Sequence, residues 1–201
     1  MKKRTFALLL LPAAVGLLAG CSLQGELHYS PGYWRDNLYS SAFLGLQFTL
    51  PDGWETASPE ELAEMEAAAN RALDLQLDKD GALPAPVCHY ELSASDPESG
   101  EGILILVQET STRADDYLSG LQTGAELEGA AYTAGDILHL ELAGRRYLAL
   151  SLTVQGELAL YQRQYARREG DYLFLIMLFT PDEEELPFST LESYLSPLSE
   201  N

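Results

Sequence analysis

Three histidines, His28, His89 and His139, are the side chains with the most obvious capacity for proton transfer or metal binding. A catalytic histidine needs a nucleophile and an orienting carboxylate, and a metal centre needs further ligands at short spacing. None of the three lies at ligand spacing from a second histidine, a cysteine or an acidic pair. The sequence also has no Gly-x-Ser-x-Gly motif, no phosphate-binding loop and no dinucleotide-binding glycine pattern. The sequence therefore predicts that the chain is not an enzyme. It indicates no catalytic residue, no metal ligand and no cofactor.

Arginine and tyrosine residues form the one grouping that suggests recognition of a partner. Five arginines lie between positions 145 and 168, on two strands predicted to be neighbours, and tyrosines lie among them. Both residue types are enriched at protein interfaces. The candidate partner surface predicted from this grouping consists of Arg146, Tyr161, Arg163, Tyr165 and Arg167.

A structural role is the alternative for these residues, and the sequence favours it. Arg146 would pair with Glu141 directly opposite on the neighbouring strand, and the other arginines would lie over tyrosine rings at the margin of the sheet.

Cys21 follows a stretch with the layout of a secretory signal. Residues 2–4 are basic, and residues 6–20 form an apolar run that is shorter than the roughly 20 residues of a membrane-spanning helix. The stretch ends in Leu18-Ala19-Gly20-Cys21, which resembles the lipobox of bacterial lipoproteins. The resemblance implies that residues 1–20 are removed, and that the Cys21 thiol receives diacylglycerol with fatty acids such as palmitate. The expected location is the extracytoplasmic face of the cell membrane. An uncleaved anchor and an ordinary secretory signal are the alternatives.

Cys88 is the only other cysteine. If Cys21 carries lipid, Cys88 has no intramolecular partner, and a disulfide framework is excluded. Cys88 lies in an apolar-leaning run, which indicates a small buried apolar residue rather than a reactive thiol.

Acidic residues strongly outnumber basic ones. The chain has 31 Asp and Glu against 12 Lys and Arg, and three of those 12 (Lys2, Lys3 and Arg4) lie in the predicted signal. A polyanion of this kind repels nucleic acid and anionic lipid headgroups. The expected partners are the membrane, through the N-terminal lipid, and an unknown protein or envelope component, but not nucleic acid.

The mature chain is predicted to consist of a tether, residues 21–36, and a single domain, residues 37–201. Ser58-Pro59-Glu60-Glu61 is typical of a helix that starts with a capping box and proline in its first position. Further helices are expected to open at Thr112 and Thr180. Pro187 should break or restart the last one, whose apolar stripe continues to Leu198.

Three pairs ending in glycine, at 143–144, 155–156 and 169–170, divide the later chain into four apolar runs. Glycine in a two-residue loop provides the positive φ that tight hairpins need. The pattern predicts a four-stranded antiparallel meander with strands 136–142, 145–154, 157–168 and 171–179. Its turns predict two cross-strand rows, Ile137–Leu150–Tyr161–Leu178 and Leu138–Ala149–Gln162–Met177.

Residues 172–179 are apolar throughout, which indicates a strand buried on both sides and helices on both faces of the sheet. The predicted fold class is therefore α+β, with a largely antiparallel sheet that ends in the meander.

Residues 48–54 (FTLPDGW) resemble the F-x-L-P-x-G-W opening of PsbP-like domains. The order of the elements and the motif Asp116-Tyr117-Leu118 are also similar to that group. Secreted lipoproteins of Gram-positive gut bacteria often have this layout. No catalytic residues come with the resemblance.

The sequence favours a lipid-anchored, extracytoplasmic, non-enzymatic domain that binds or scaffolds a protein or an envelope component. The alternative is a small-ligand receptor or a hydrolase-type enzyme with a pocket between the sheet and the helices. A flat, exposed surface of tyrosine and arginine would support the first interpretation. A deep pocket with converging charged groups would support the second.

Overall fold

Two antiparallel sheets and three helices make up the fold in a computed structural model, which describes residues 27–77, 86–126, 132–154, 159–181 and 186–199. In chain order the elements are β1 (Tyr33–Arg35), β2 (Leu38–Ser41), β3 (Leu46–Thr49), β4 (Glu55–Thr56), α1 (Pro59–Leu77), β5 (Val87–Ser95), β6 (Gly102–Glu109), α2 (Ala114–Glu126), β7 (Tyr132–Leu142), β8 (Arg145–Val154), β9 (Leu160–Glu169), β10 (Tyr172–Thr180), α3 (Leu186–Ser193) and β11 (Leu195–Pro197). Cys21 and the predicted turn at 155–156 lie outside the described residues.

The larger sheet has seven strands in the order β4-β5-β6-β10-β9-β8-β7, and the smaller has four in the order β1-β2-β3-β11. The last four strands of the larger sheet in chain order, β7 to β10, are consecutive neighbours, which confirms the predicted meander. The predicted α+β class is confirmed as well. Within the described ranges, none of the helices is long and apolar enough to cross a membrane.

The first pair of the meander has the predicted register. Ile137 lies opposite Leu150, and the tight turn between β7 and β8 places Ala143 and Gly144 at φ 49° and 69°. Two consecutive residues with positive φ are the mark of a type I′ hairpin turn, whose twist matches that of the strands.

The register between β8 and β9 was predicted wrongly. Leu150 lies opposite Gln164 rather than Tyr161, because residues 155–159 separate the two strands where a two-residue turn was expected. The offset of three positions is odd, and an odd offset inverts which side chains share a face. The turn between β9 and β10 also lies one residue later than predicted, so that Tyr161 lies opposite Thr180. This second shift, of two positions, leaves the faces unchanged.

Strand β10 lies at the centre of the fold and is buried on both faces, as its composition predicted. Phe174, Ile176 and Leu178 belong to the core between the two sheets, which α3 also covers. Leu173 and Leu175 belong to the core beneath α1 and α2. Helices therefore cover both faces of the larger sheet, and on one face the smaller sheet shares that role.

Helix α1 starts at the predicted capping box. The Glu61 N–H donates to Ser58 Oγ at 3.2 Å, and the Ser58 N–H donates to a Glu61 carboxylate oxygen at 2.9 Å. These two bonds satisfy donors that a helix terminus leaves without partners.

The C-terminal end differs from the prediction. Helix α3 begins at Leu186 with Pro187 in its first turn, where the missing N–H costs nothing, and it ends at Ser193. The expected helical stripe does not continue to Leu198, because Leu195–Pro197 forms β11 and pairs with β3.

The N-terminal end of the described chain also differs from the prediction. The strand Tyr33–Arg35 pairs with β2, although it falls inside the predicted tether, residues 21–36. Among the described residues, regular secondary structure therefore starts before residue 37.

Candidate functional site

The five residues of the predicted partner surface do not form one surface. Tyr161, Arg163, Tyr165 and Arg167 alternate along β9 and point towards the core between the sheets, where Tyr165 is fully buried. Arg146 is exposed on the opposite face of the sheet, across from Glu141 on β7. The odd register offset between β8 and β9 is the physical reason for this correction.

The arginines of β9 bind groups inside the fold. Arg163 pairs with Glu192 of α3 at 3.0 Å, and its guanidinium lies 4.6 Å from the centre of the Phe188 ring. Arg167 donates to the carbonyl oxygen of Leu44 at 3.1 Å and pairs with Glu169. These contacts agree with the structural alternative for the arginines.

The Arg167 guanidinium also lies between two rings, 4.7 Å from the centre of Phe174 and 5.4 Å from that of Tyr147. A cation over a desolvated aromatic face gains electrostatic energy from the ring quadrupole. The side chain of Arg167 is only 14% exposed, so that it is held in the fold and offers little to a partner.

His89 gains neighbours that the sequence did not indicate. Its ring is stacked on that of Tyr29 at 4.1 Å, and its Nδ1 lies 3.7 Å from a carboxylate oxygen of Glu66 on α1. In the part of the chain that the structure describes, no group of three or more His, Cys, Asp and Glu could hold a metal ion. His139 is exposed on β7.

A β-bulge in β5 places a carboxylate where the sequence gave no reason to expect one. Tyr90 lies opposite Leu106 and Leu92 lies opposite Ile105, so that Glu91 is an extra residue without a cross-strand partner. Bulges re-aim side chains and are common beside functional sites. Here the bulge directs Glu91 towards Tyr39 of β2, and Glu91 is only 7% exposed.

Neutral donors surround the Glu91 carboxylate. Its Oε2 accepts a short hydrogen bond from the Tyr39 hydroxyl and a 2.9 Å bond from the Gly32 N–H. Its Oε1 is covered by protein atoms and accepts no hydrogen bond of ordinary length among the described residues, while the Tyr29 hydroxyl lies close enough to interact with the same carboxylate.

Burial and the carboxylate of Glu91 raise the pKa of Tyr39 far above its ordinary value, and the same two causes raise the pKa of Tyr29. Both phenols are therefore neutral and able to donate at physiological pH. Gly32 is required where it lies, because a Cβ at that position would come 2.2 Å from the Tyr39 hydroxyl oxygen.

Helix α1 replaces a neighbouring strand along this part of β5. Asn70 accepts from the Cys88 N–H at 2.8 Å and donates to the Cys88 carbonyl oxygen at 3.2 Å, and Glu66 accepts from the Tyr90 N–H at 3.2 Å. These side chains satisfy backbone groups that an edge strand otherwise exposes.

A cleft of about 550 Å³ opens between α1 and the β1–β2 hairpin, with the bulge of β5 at its floor. We call it the acidic cleft, since Glu66 and Glu91 are the charged residues that line it in the described structure. The lining residues are Pro31, Gly32, Trp34, Tyr39, Thr56, Ala57, Ser58, Pro59, Leu62, Ala63, Glu66, Ala67, Asn70, Tyr90 and Glu91. Its volume lies within the range of small-molecule sites, which is about 300–1,000 Å³.

Cys88 contributes to a smaller, mainly apolar cavity of about 60 Å³ between α1, α2 and the sheet. Burial raises the pKa of its thiol to about 11. The thiol is therefore protonated at neutral pH and weakly nucleophilic. The prediction of a buried, unreactive Cys88 agrees with this placement.

No family model and no curated protein sequence matches this chain. The solved structures that are similar to it include the following two. The solution structure of CyanoP, the cyanobacterial PsbP from Synechocystis sp. PCC 6803, is 15% identical with a TM-score of 0.48, and the match covers 91% of this chain and 100% of that one. The crystal structure of LpqN, described as involved in cell envelope biogenesis of Mycobacterium tuberculosis, is 11% identical with a TM-score of 0.42, covering 77% and 83%.

Proposed function

We propose that the chain is a lipid-anchored, extracytoplasmic, non-enzymatic domain that binds a small ligand in the acidic cleft. The observation that carries the proposal is Glu91, a buried carboxylate at a β-bulge that lines an open cleft in which no described lysine or arginine offsets its charge. The residues of the predicted Arg/Tyr surface are occupied within the fold or lie on opposite faces. Of the two interpretations drawn from the sequence, the contacts therefore favour a receptor with a pocket.

Binding fits the cleft better than hydrolysis. Ser58 lines the cleft, but its hydroxyl oxygen accepts the Glu61 N–H as a helix cap. No histidine is among the described lining residues, so a serine there lacks the base that nucleophilic catalysis requires.

The proposed anchor would hold the cleft near the membrane. Gly32 lines the cleft and follows Cys21 by eleven positions, a length of chain that spans at most about 40 Å when extended. A ligand from the cell envelope would then meet the cleft close to the membrane surface.

Substituting Cys21→Ser tests the anchor. Because the thiol that would receive diacylglycerol is lost, we expect the protein to leave the membrane fraction or to accumulate as an uncleaved precursor. Cell fractionation followed by mass spectrometry of the N-terminus measures both results. Normal processing with unchanged membrane association would contradict the lipoprotein assignment.

Filling the acidic cleft tests the binding site. Ala67 is an exposed residue of α1 that lines the cleft, and Ala67→Phe places an aromatic ring in it without disturbing either core. Native mass spectrometry of the full chain, after incubation with a small-molecule extract of the cell envelope, should show a bound mass that this variant loses.

The matched control is Ala68→Phe, which makes the same change one position further along α1, at an exposed residue that is not part of the cleft lining. This variant should keep the bound mass. Equal binding by both variants would place the ligand elsewhere, and the absence of any bound mass in the unmodified chain would remove the support for a receptor.

A further inference from the structure

We propose that two copies of this chain associate edge to edge through β7, where residues 137–142 pair antiparallel with the same residues of the second copy and Leu140 lies on the two-fold axis. The association joins the two larger sheets into one continuous sheet. This inference goes beyond the proposed function and does not depend on the acidic cleft.

The two edges of the larger sheet are treated differently. Along β5, side chains of α1 bind the backbone groups that the strand would otherwise expose. On β7, Gln122 of α2 donates to the carbonyl oxygen of Gly135 at 2.8 Å, beside a shift in the strand register. Along residues 137–142, no described residue covers the outer backbone groups with a hydrogen bond, and the sequence there has no lysine and no proline. A free edge of this kind is a template for pairing with another chain.

The hairpin turn after Leu142 determines which backbone groups of β7 point outward. In a type I′ turn, the flanking residues Leu142 and Arg145 form a hydrogen-bonded pair. Hydrogen-bonded and non-hydrogen-bonded pairs alternate along an antiparallel ladder, and the register of β7 with β8 is regular from Leu142 back to Ile137. The N–H and C=O groups that point away from β8 are therefore those of residues 137, 139 and 141.

Charge selects one register among those that this alternation allows. A hydrogen-bonded pair needs outward groups from both strands, so one of these three residues must face another of them. A register centred on His139 places two imidazoles opposite each other, and one centred on Glu141 places two carboxylates opposite each other. Like groups in that position are unfavourable. With Leu140 on the axis, His139 faces Glu141 on both sides of the axis, and each imidazole can donate to a carboxylate.

The same register aligns the apolar side chains on the other face of the edge. Leu140 faces Leu140 of the second copy, and Leu138 faces Leu142. Leu142 belongs to the core between the sheets and Leu140 packs against that core, whereas Leu138 is 50% exposed. Pairing would remove Leu138 from water and continue the apolar row of the core across the axis. The polar and the apolar face of the edge thus fit the same partner, a second copy of this chain.

A cysteine on the axis tests the register. Residues that face each other in a non-hydrogen-bonded pair have Cα atoms about 4.5 Å apart, within the roughly 4.4–6.8 Å that a disulfide spans. In the full chain carrying Cys21→Ser, Leu140→Cys should therefore give a covalent dimer on mild oxidation, which non-reducing electrophoresis detects. Cys88 should not react, because burial raises the pKa of its thiol to about 11.

Leu138→Cys is the matched control. Leu138 is the more exposed of the two leucines, but in this register it lies four residues along the strand from its own copy, a distance of about 13 Å. This variant should give no covalent dimer. Equal cross-linking by both variants would indicate random collision and would contradict the proposed pairing.

Charge variants test the facing pairs without altering the axis. His139→Glu places carboxylates opposite each other in both pairs, and Glu141→Lys places lysine opposite histidine in both. Each variant alone should therefore form a dimer at least about tenfold more weakly than the parent. In an equimolar mixture, the glutamates of the first variant face the lysine and the histidine of the second, and dimer formation should return to the parent level. Sedimentation velocity measures all three samples.

Glu64→Lys is the control for net charge, which matters because the chain carries a formal charge of −19. It makes the same charge change as Glu141→Lys, at an exposed position of α1. It should not weaken the dimer. If it weakened the dimer as much as His139→Glu does, overall repulsion rather than facing pairs would govern association.

Two results would overturn the proposal. One is a folded Leu140→Cys chain that forms no covalent dimer, and the other is a mixture of the two charge variants that stays monomeric while the parent is a dimer. If Leu140→Cys does not fold, the charge variants decide, because both substitutions are at exposed residues. Neither result bears on ligand binding in the acidic cleft, which Ala67→Phe tests separately.

Discussion

Replacing Arg167 by glutamate is expected to lower the free energy of unfolding by about 3–5 kcal/mol, the usual effect of breaking a buried charged interaction. The guanidinium lies between the rings of Phe174 and Tyr147 and donates to the carbonyl oxygen of Leu44. A carboxylate at position 167 could not donate a hydrogen bond to the Leu44 carbonyl oxygen. It would also repel Glu169, which pairs with Arg167 in the parent protein. Urea denaturation of the variant and the parent measures the difference.

Arg146→Glu is the matched control, because it makes the same charge reversal at an exposed residue on the opposite face of the sheet. Its effect should stay within about 0.5 kcal/mol, as for most surface substitutions. A similar loss of stability in both variants would mean that charge reversal itself destabilises this acidic chain. A stable Arg167→Glu would contradict the placement of the guanidinium between the two rings.

Phe174→Ala is expected to cost about 3–5 kcal/mol, as truncations of fully buried aromatic residues do. Phe174 is 0% exposed in the central strand, and its ring packs against Phe43 with the centres 5.2 Å apart and beneath the guanidinium of Arg167. The truncation removes contacts with the turn between β2 and β3, through Phe43, and with β9, through Arg167. Thermal and urea denaturation should therefore show a lower midpoint.

Val87→Ala is the control for this truncation, since Val87 is 41% exposed at the start of β5. Its effect should lie within about 1 kcal/mol, the span of strand propensities. If Phe174→Ala were no more destabilising than Val87→Ala, the central position of β10 between two cores would be wrong.

The elements predicted correctly from the sequence are those whose signals are local. The capping box at Ser58 needs only four residues, and the turn at Gly144 needs only two. The uniform apolar character of residues 172–179 indicates burial on both faces, whichever elements cover those faces. Each of these patterns specifies backbone geometry or burial without reference to distant residues. The fold class followed from them.

The register between β8 and β9 is not determined by a local sequence signal. A glycine at 156 is compatible with a two-residue turn, but the structure separates the strands by residues 155–159, and the pattern of apolar residues on both faces did not exclude either register. Because both faces of this sheet are covered, a shift that inverts the faces still buries apolar side chains. The placement of Arg146 and Arg163 on one candidate surface depended on that register.

The candidate site could not be predicted because its parts are distant in sequence. Glu91 receives donors from Gly32 and Tyr39, and α1 contributes Glu66 to the same cleft. One local signal was present: a single acid in the apolar run of β5, where residues on either side are buried. Without the structure, that acid is indistinguishable from one at a solvated position of an edge strand.

Because of the bulge in β5, Glu91 could be removed without changing the face on which any other side chain of the strand lies. Tyr90 belongs to the core beneath the helices, and Leu92 belongs to the core between the sheets. The two side chains thus lie on opposite faces of the sheet, as the side chains of directly adjacent residues do in a regular strand. Apart from Glu91, the strand is thus a complete alternating sequence, and Glu91 is an insertion of one residue in it. An evolving lineage could gain or lose this carboxylate through a single-codon insertion or deletion, while every other side chain of β5 kept its side of the sheet.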